Sequence, residues 1–332
     1  MKHQVLTIVA AVGLALSVVG TATAETVLRA SHQFPGGKGD VRDEMVQLMA
    51  KEVEKANVDL KIQVYPGESL FKAKEQWGAL VRGRLDMTAL PLDYASGRHP
   101  EFSATLMPGL VRSHERAQRL NDSKFMGMVK KVINDAGVKV LADAWLAGGF
   151  ASDMRCITSP DTVQGQTMRA AGPAFDEMLA EAGASIASMP SSEIYTAMQT
   201  GVLDGANTSS GSFVSYRIYE QATCLTAPGE NALWFMYEPV LISQRSWEGL
   251  TPEQQEALEA AGQKAEEYFA SEAENLDQKL VDVYKENGVE VVQMSPENYQ
   301  AWLDIAKESS YKTFADNVPN GQALIDAALE VE

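Results

Sequence analysis

Hydrophobic and polar positions divide the chain into short alternating runs and longer stripes of helical period. TVLRAS, residues 26–31, reads as a strand, and a Gly- and Pro-rich loop, HQFPGGKGD, follows it. VRDEMVQLMAKEVEKA then sets Val41, Met45, Leu48, Met49 and Val53 near a 3.6-residue period and predicts a helix. LKIQVYP alternates like a strand and stops at Pro66. Residues 69–82 predict a second helix, closed by Gly83, a residue suited to the left-handed turn at helix C-termini. RLDMTALP supplies a short strand after it. This β-α-β-α-β rhythm predicts an α/β lobe with a mostly parallel sheet.

The same order returns further along. GQTMRAA reads as a strand, PAFDEMLAEAGA as a helix with Phe175, Met178 and Leu179 on one face, and SIASMP as a strand ending at Pro190. Ser191 is placed to cap the next helix, and Glu193 suits its positive first turn. Ile194, Ala197 and Met198 face inward, Gly201 ends the helix, and VLDGANT is the following strand. The echo reaches individual residues: ALVRGRLDMTAL (79–90) and AMQTGVLDGANT (197–208) share a small and an apolar residue, two more, then Gly, any residue, Leu and Asp. Two lobes built to one plan account for the doubling.

After SWEGL, a helix is predicted from Thr251, with Pro252 at its first position. It meets no breaker before Gly288 except Gly262, which costs about 1 kcal/mol. Some 36 residues span roughly 54 Å, so this helix either braces both lobes or kinks at Gly262. PENYQAWLDIAKESSYKTFADNV reads as one more amphipathic helix before a short terminal one. The expected layout is a leader at 1–24, lobe 1 at 25–148 and lobe 2 at 149–230. A return crossing at 231–250, the long helix at 251–288 and a helical end at 289–332 complete it.

The leader follows from the first residues. Lys2 and His3 precede an apolar run from Val5 to Val19, and Ala22-Thr23-Ala24 closes it, the pattern of a cleaved export signal. The run is shorter than a usual membrane span, so export with cleavage after Ala24 is expected in place of an anchor. A net charge of −17 disfavours nucleic acid and anionic lipid as partners. Cys156 and Cys224 make an even pair: in an oxidising compartment they are a disulfide candidate, and two separate buried thiols are the alternative. No CxxC or nearby His accompanies them, so no zinc or other metal site is expected.

Enzyme signatures are missing. The chain has no GxSxG, Walker loop, HExxH or GxGxxG, and His3, His32, His99 and His114 form no pair at ligand spacing. A carboxylate pair such as Glu193 and Asp204 remains conceivable for acid–base work, but reads more simply as a helix-start acid and a turn acid. Two α/β lobes with facing strand ends instead suggest a ligand cleft that closes by a hinge. Arg169, among Met168, Ala170 and Ala171, is costly to bury unless paired. Its planar fork suits a carboxylate, either a ligand's or an internal acid such as Asp204 or Glu193.

GQTMRAAGP, SMPSSEIYTAMQTGVLDGAN, the signal-like leader and the helix after SQRSWEGLTPEQQEAL together resemble the solute-binding proteins of TRAP transporters, the DctP type. Pro190, Glu193, Tyr195, Ala197, Gln199, Gly201, Asp204 and Gly205 stand where that family's second block has them, and the resemblance runs over nearly the whole mature chain. It implies a non-enzymatic periplasmic receptor with the two-lobed α/β fold and no cofactor. Such a receptor delivers a small organic acid to the small and large membrane subunits of an ion-gradient-driven transporter. A ligand sensor of the same fold, partnered with a membrane signalling protein, is the alternative. The resemblance gives Arg169 the role of carboxylate clamp. Ala206-Asn207-Thr208 replaces the usual Gln-Glu-Asn, and Ala151 follows GGF where many members have Arg, Arg155 coming four residues later. These departures shift the expected ligand from succinate or malate toward a monocarboxylate or an acid with an aromatic or amphipathic body.

By position, Asn207 and Ser210 follow the second repeat as Pro91, Asp93 and Tyr94 follow the first, and Lys38 precedes a helix start that favours anions. Trp145 and Phe150 lie where the chain should cross between lobes, and Phe213 and Trp234 flank the return; each is a ligand candidate with core packing as its alternative. Glu230 and Glu238 flank ALWFMY, where a buried acid could hold a cation.

Overall fold

A computed structural model describes residues 25–230 and 232–331. The expected leader, 1–24, lies outside them. Strands β1 (Thr26–Ser31), β2 (Leu60–Tyr65), β3 (Met87–Ala89) and β4 (Val138–Ala142) form one sheet with a strand that arrives much later in the chain. The second sheet takes β5 (Trp145–Ser152), β6 (Thr167–Ala170), β7 (Ser185–Ser188), β8 (Gly205–Ser209), β9 (Cys224–Ala227) and β10 (Trp234–Tyr237). The late strand is β11 (Val240–Ser243), and β12 (Glu290–Gln293) closes the edge of the second sheet against β9.

The doubled sequence corresponds to doubled topology. In the first sheet the order begins β2-β1-β3, all parallel, and in the second it runs β7-β6-β8, again parallel. Each trio puts its first strand in the middle, so each has a switch point beside its central strand. Both sheets are mostly parallel, and a single strand in each runs against the rest. The crossing strands pair antiparallel: β11 lies between β3 and β4, and β5 lies between β8 and β9. The chain leaves the first sheet at Asp143-Ala144 and returns at Glu238-Pro239, so position 148/149 falls inside β5. Three further differences are local. The helix expected over 69–82 is confined to Ala73–Val81. Ser191 caps nothing with its side chain; it opens a short 3-10 turn before the helix Ile194–Gln199. The tail helix holds a π-helical stretch, Lys307–Tyr311, between its two α-helical parts.

One helix runs unbroken from Pro252 to Glu286. Thr251 and Gln254 form a reciprocal capping box at its start. Leu258, Ala261, Ala265 and Phe269 enter the core beneath the first sheet, while Leu280 and Tyr284 enter a core of the second lobe. Gly262 does not kink it: a Cβ there would collide with the Leu141 carbonyl, so glycine lets helix and β4 touch. Cys156 and Cys224 are joined as a disulfide, fixing the chain after β5 to the start of β9.

Candidate functional site

The carboxyl ends of β1 and β3 face those of β6 and β8, where open α/β sheets place their ligands. Hydrogen bonds at Tyr94, Gln33 and Arg42 span the gap. Tyr94, just after β3, accepts a hydrogen bond at 3.2 Å from Arg169 Nη2. Tyr216 donates its hydroxyl to the Gln33 carbonyl after β1, at 2.9 Å. Arg42, in the first turn of the helix Val41–Ala56, reaches Ser209 and Ser212 at 3.1 and 3.0 Å.

Arg169 is 1% exposed. Its Nε donates to the Met189 carbonyl at 3.0 Å and its Nη1 to the Asn207 carbonyl at 2.8 Å. Neutral oxygens from three elements therefore hold the guanidinium without cancelling its charge. Among the described residues it makes no ion pair: Asp204 instead accepts from the Thr167 amide, and Glu193 is exposed. The internal salt bridge left open by the sequence is absent from this set.

Arg42 is a second buried cation at this junction. Asp40 takes its Nε at 2.9 Å and Nη2 at 2.8 Å, and Phe34 lies flat beneath, 3.9 Å from the guanidinium carbon to the ring centre. Glu238 Oε2 stands 3.5 Å from Nη1. Burial raises the Glu238 carboxyl to about 7, against the pull of Arg42. Asp93 rises to about 7 by burial, and Asp176 to about 6 for the same reason. Asp93 packs so closely on Gly172 that any Cβ at that position would overlap its carboxyl.

Several polar side chains at this junction are buried without a hydrogen-bond partner: both amide atoms of Gln33, both of Asn207, and one oxygen each of Asp93 and Glu238. Native interiors rarely leave such groups unmade. A cleft that waits for a polar ligand accounts for them.

The sequence profile of the bacterial extracellular solute-binding proteins, family 7 (DctP), matches residues 35–317. The chain belongs to that family. A solute-binding protein of Albidiferax ferrireducens is 38% identical over 309 residues, 91% of each chain. A solved TRAP periplasmic solute-binding protein from Rhodoferax ferrireducens, with bound malonate, superposes with a TM-score of 0.89 at 37% identity, covering 92% of this chain and 98% of that one. The C4-dicarboxylate-binding periplasmic protein DctP of Rhodobacter capsulatus is 26% identical over 304 residues, 89% of this chain and 88% of the relative.

Against that DctP-family frame, the expected site residues fall into groups. Arg169, Tyr94, Asp93 and Asn207 come together at the junction. Ser210 sits nearby but bonds Asp277 of the long helix, which also meets His114 at 2.8 Å. Trp145 is core: its N–H reaches Asn121 at 2.8 Å and its ring leans on Tyr237. Phe150 stacks on Trp302, and Phe213 meets Tyr284 edge-on. Trp234 packs at Gly148 with its N–H unpartnered. Lys38 is exposed on its loop, and no hydrogen bond or ion pair joins it to the junction.

Arg42, Gln33 and Tyr216 were not anticipated, and Glu238 only as a possible cation holder. Arg42 did leave a signal. A cation in the first turn opposes the helix dipole, and Asp40 two residues earlier, in D-x-R, supplies the compensation. Among the described residues no helix is long and apolar enough to cross a membrane.

Proposed function

We propose that this receptor binds a small organic acid by closing its two lobes over Arg169, and passes it to the small and large membrane subunits of a TRAP transporter from the periplasm. One observation carries the reading: a buried guanidinium held only by neutral oxygens, with hydrogens to spare. Two further facts support it, the unpartnered amides of Gln33 and Asn207 and the relative from Rhodoferax ferrireducens with bound malonate. Export then follows from the leader, with cleavage after Ala24.

The test is mass spectrometry of small molecules released by denaturing purified wild type and Arg169→Ala. An organic acid in the first and none in the second is the expected result. An acid retained equally by both removes Arg169 from the clamp.

A further inference from the structure

Resting on that reading of the cleft, we propose that the ligand carries, beside the carboxylate held by Arg169, a hydrogen-bond donor that faces Glu238. The class is hydroxy acids, amino acids and lactam acids, in preference to plain dicarboxylates or simple alkanoates.

A guanidinium has five N–H groups. At Arg42 all five are engaged: two by Asp40, two by Ser209 and Ser212, and one by Ser215 at 3.4 Å. None is left for Glu238. Its Oε2, 3.5 Å from Nη1, is attracted by the charge yet receives no hydrogen bond. Glu238 is 2% exposed, so water does not supply the missing donor from bulk. Its backbone N–H is tied to the Ala144 carbonyl at 2.8 Å, which anchors it at the return crossing between the sheets. A buried acceptor in this state costs stability until a donor arrives.

At Arg169 three of the five N–H groups are engaged, which leaves one on each terminal nitrogen. Two such hydrogens match the two oxygens of one carboxylate. Arg42 lies 3.5 Å from Glu238 and 3.1 Å from Ser209 of β8, and Asn207 of the same strand accepts from Arg169, so the spare donors and the spare acceptor belong to one cleft. Gln33 and Asn207 offer a donor and an acceptor each, and fit either kind of ligand group. An ionised Glu238 accepts only. A second ligand carboxylate facing it would set two anions together in a buried site. Two further carboxyl oxygens are unpartnered, Asp93 Oδ1 and Asp176 Oδ1, on neighbouring acids beside Gly172, and the exposed Lys38, outside the junction, supplies the control.

Calorimetric titration at pH 8 with matched probes decides the matter: lactate against propionate, pyroglutamate against cyclopentanecarboxylate, and malonate as the two-anion probe. Wild type is expected to favour a donor-bearing member by about tenfold or more. Glu238→Gln, its folding confirmed by thermal melting, is expected to erase that preference and gain affinity for malonate. Lys38→Ala is expected to keep it. Equal affinities within both pairs, a preference surviving Glu238→Gln, or one removed by Lys38→Ala instead would each overturn the proposal. Absence of all binding, with no acid released from the purified protein, is a separate failure that removes the organic-acid reading itself.

Discussion

Arg42 and Arg169 are both buried guanidiniums at the junction of the lobes, and they spend their hydrogens differently. Arg42 is saturated by a carboxylate, three serine hydroxyls and a phenyl ring, all supplied by the protein. Arg169 is oriented by two carbonyls and a phenol, and keeps its positive charge unpaired. The first arrangement is finished and the second is not. A saturated cation holds structure together; an oriented but uncompensated one selects an anion. Burial alone does not separate the two roles, and a count of partners does.

The largest effect that sharpens this contrast is on binding. Arg169→Ala should weaken the bound acid by roughly 2–5 kcal/mol, while the melting temperature of the ligand-free protein changes little, as titration and thermal scans of the pair would show. If the ligand-free protein instead loses most of its stability, Arg169 is as structural as Arg42. The converse belongs to Arg42→Ala. Removing it strands Asp40 and Glu238 in the interior, and a loss of about 3–5 kcal/mol is expected, read as a shifted urea midpoint without ligand.

A smaller effect comes from pH. Glu238, Asp93 and Asp176 titrate in the folded protein at about 7, about 7 and about 6, above their ordinary values. A carboxyl raised on folding favours the native state below its unfolded value, and that gain is lost as pH climbs through the folded one. Thermal stability of the ligand-free protein should therefore decline between about pH 4 and 7. Asp40 and Asp43 are held below their ordinary value, so their share is lost only at more acid pH. A melting temperature that rises steadily from pH 5 to pH 8 would contradict the protonation assigned to these three acids. The smallest expected effect is that of Lys38→Ala: an exposed loop cation should change neither affinity nor melting temperature measurably, and a clear loss of affinity would bring that loop into the site.

Much of this was legible beforehand. The bounds of the helix Val41–Ala56 and of strands β1 and β2 follow from periodicity: Leu28 and Ala30, and Leu60 and Ile62, turn inward at every second position, and Met45, Met49 and Val53 at every fourth. The repeat was readable because Gly83 and Gly201 both close a helix at positive φ before the third strand of each trio. The antiparallel insertion of β11 was not, since VLIS carries no mark of which neighbours it will join. At the site, Arg169 announced itself by standing among small apolar residues. Arg42 and Glu238 belong to one cluster assembled from segments nearly two hundred residues apart, and no local pattern links them. The aromatic candidates illustrate the opposite limit: Trp145, Phe150 and Phe213 lie near the crossings, but a large ring there fills volume as readily as it greets a ligand.

The placement of β11 has a consequence for how the molecule is made. Its four residues occupy the slot between β3 and β4, so the first sheet stays split until position 243 has been synthesised. The long helix that seals its underside comes later still. A chain emerging from its N-terminus thus carries an incomplete first half for most of its synthesis, and the halves acquire their final form together. Such long-range closure predicts slow folding for the chain's size.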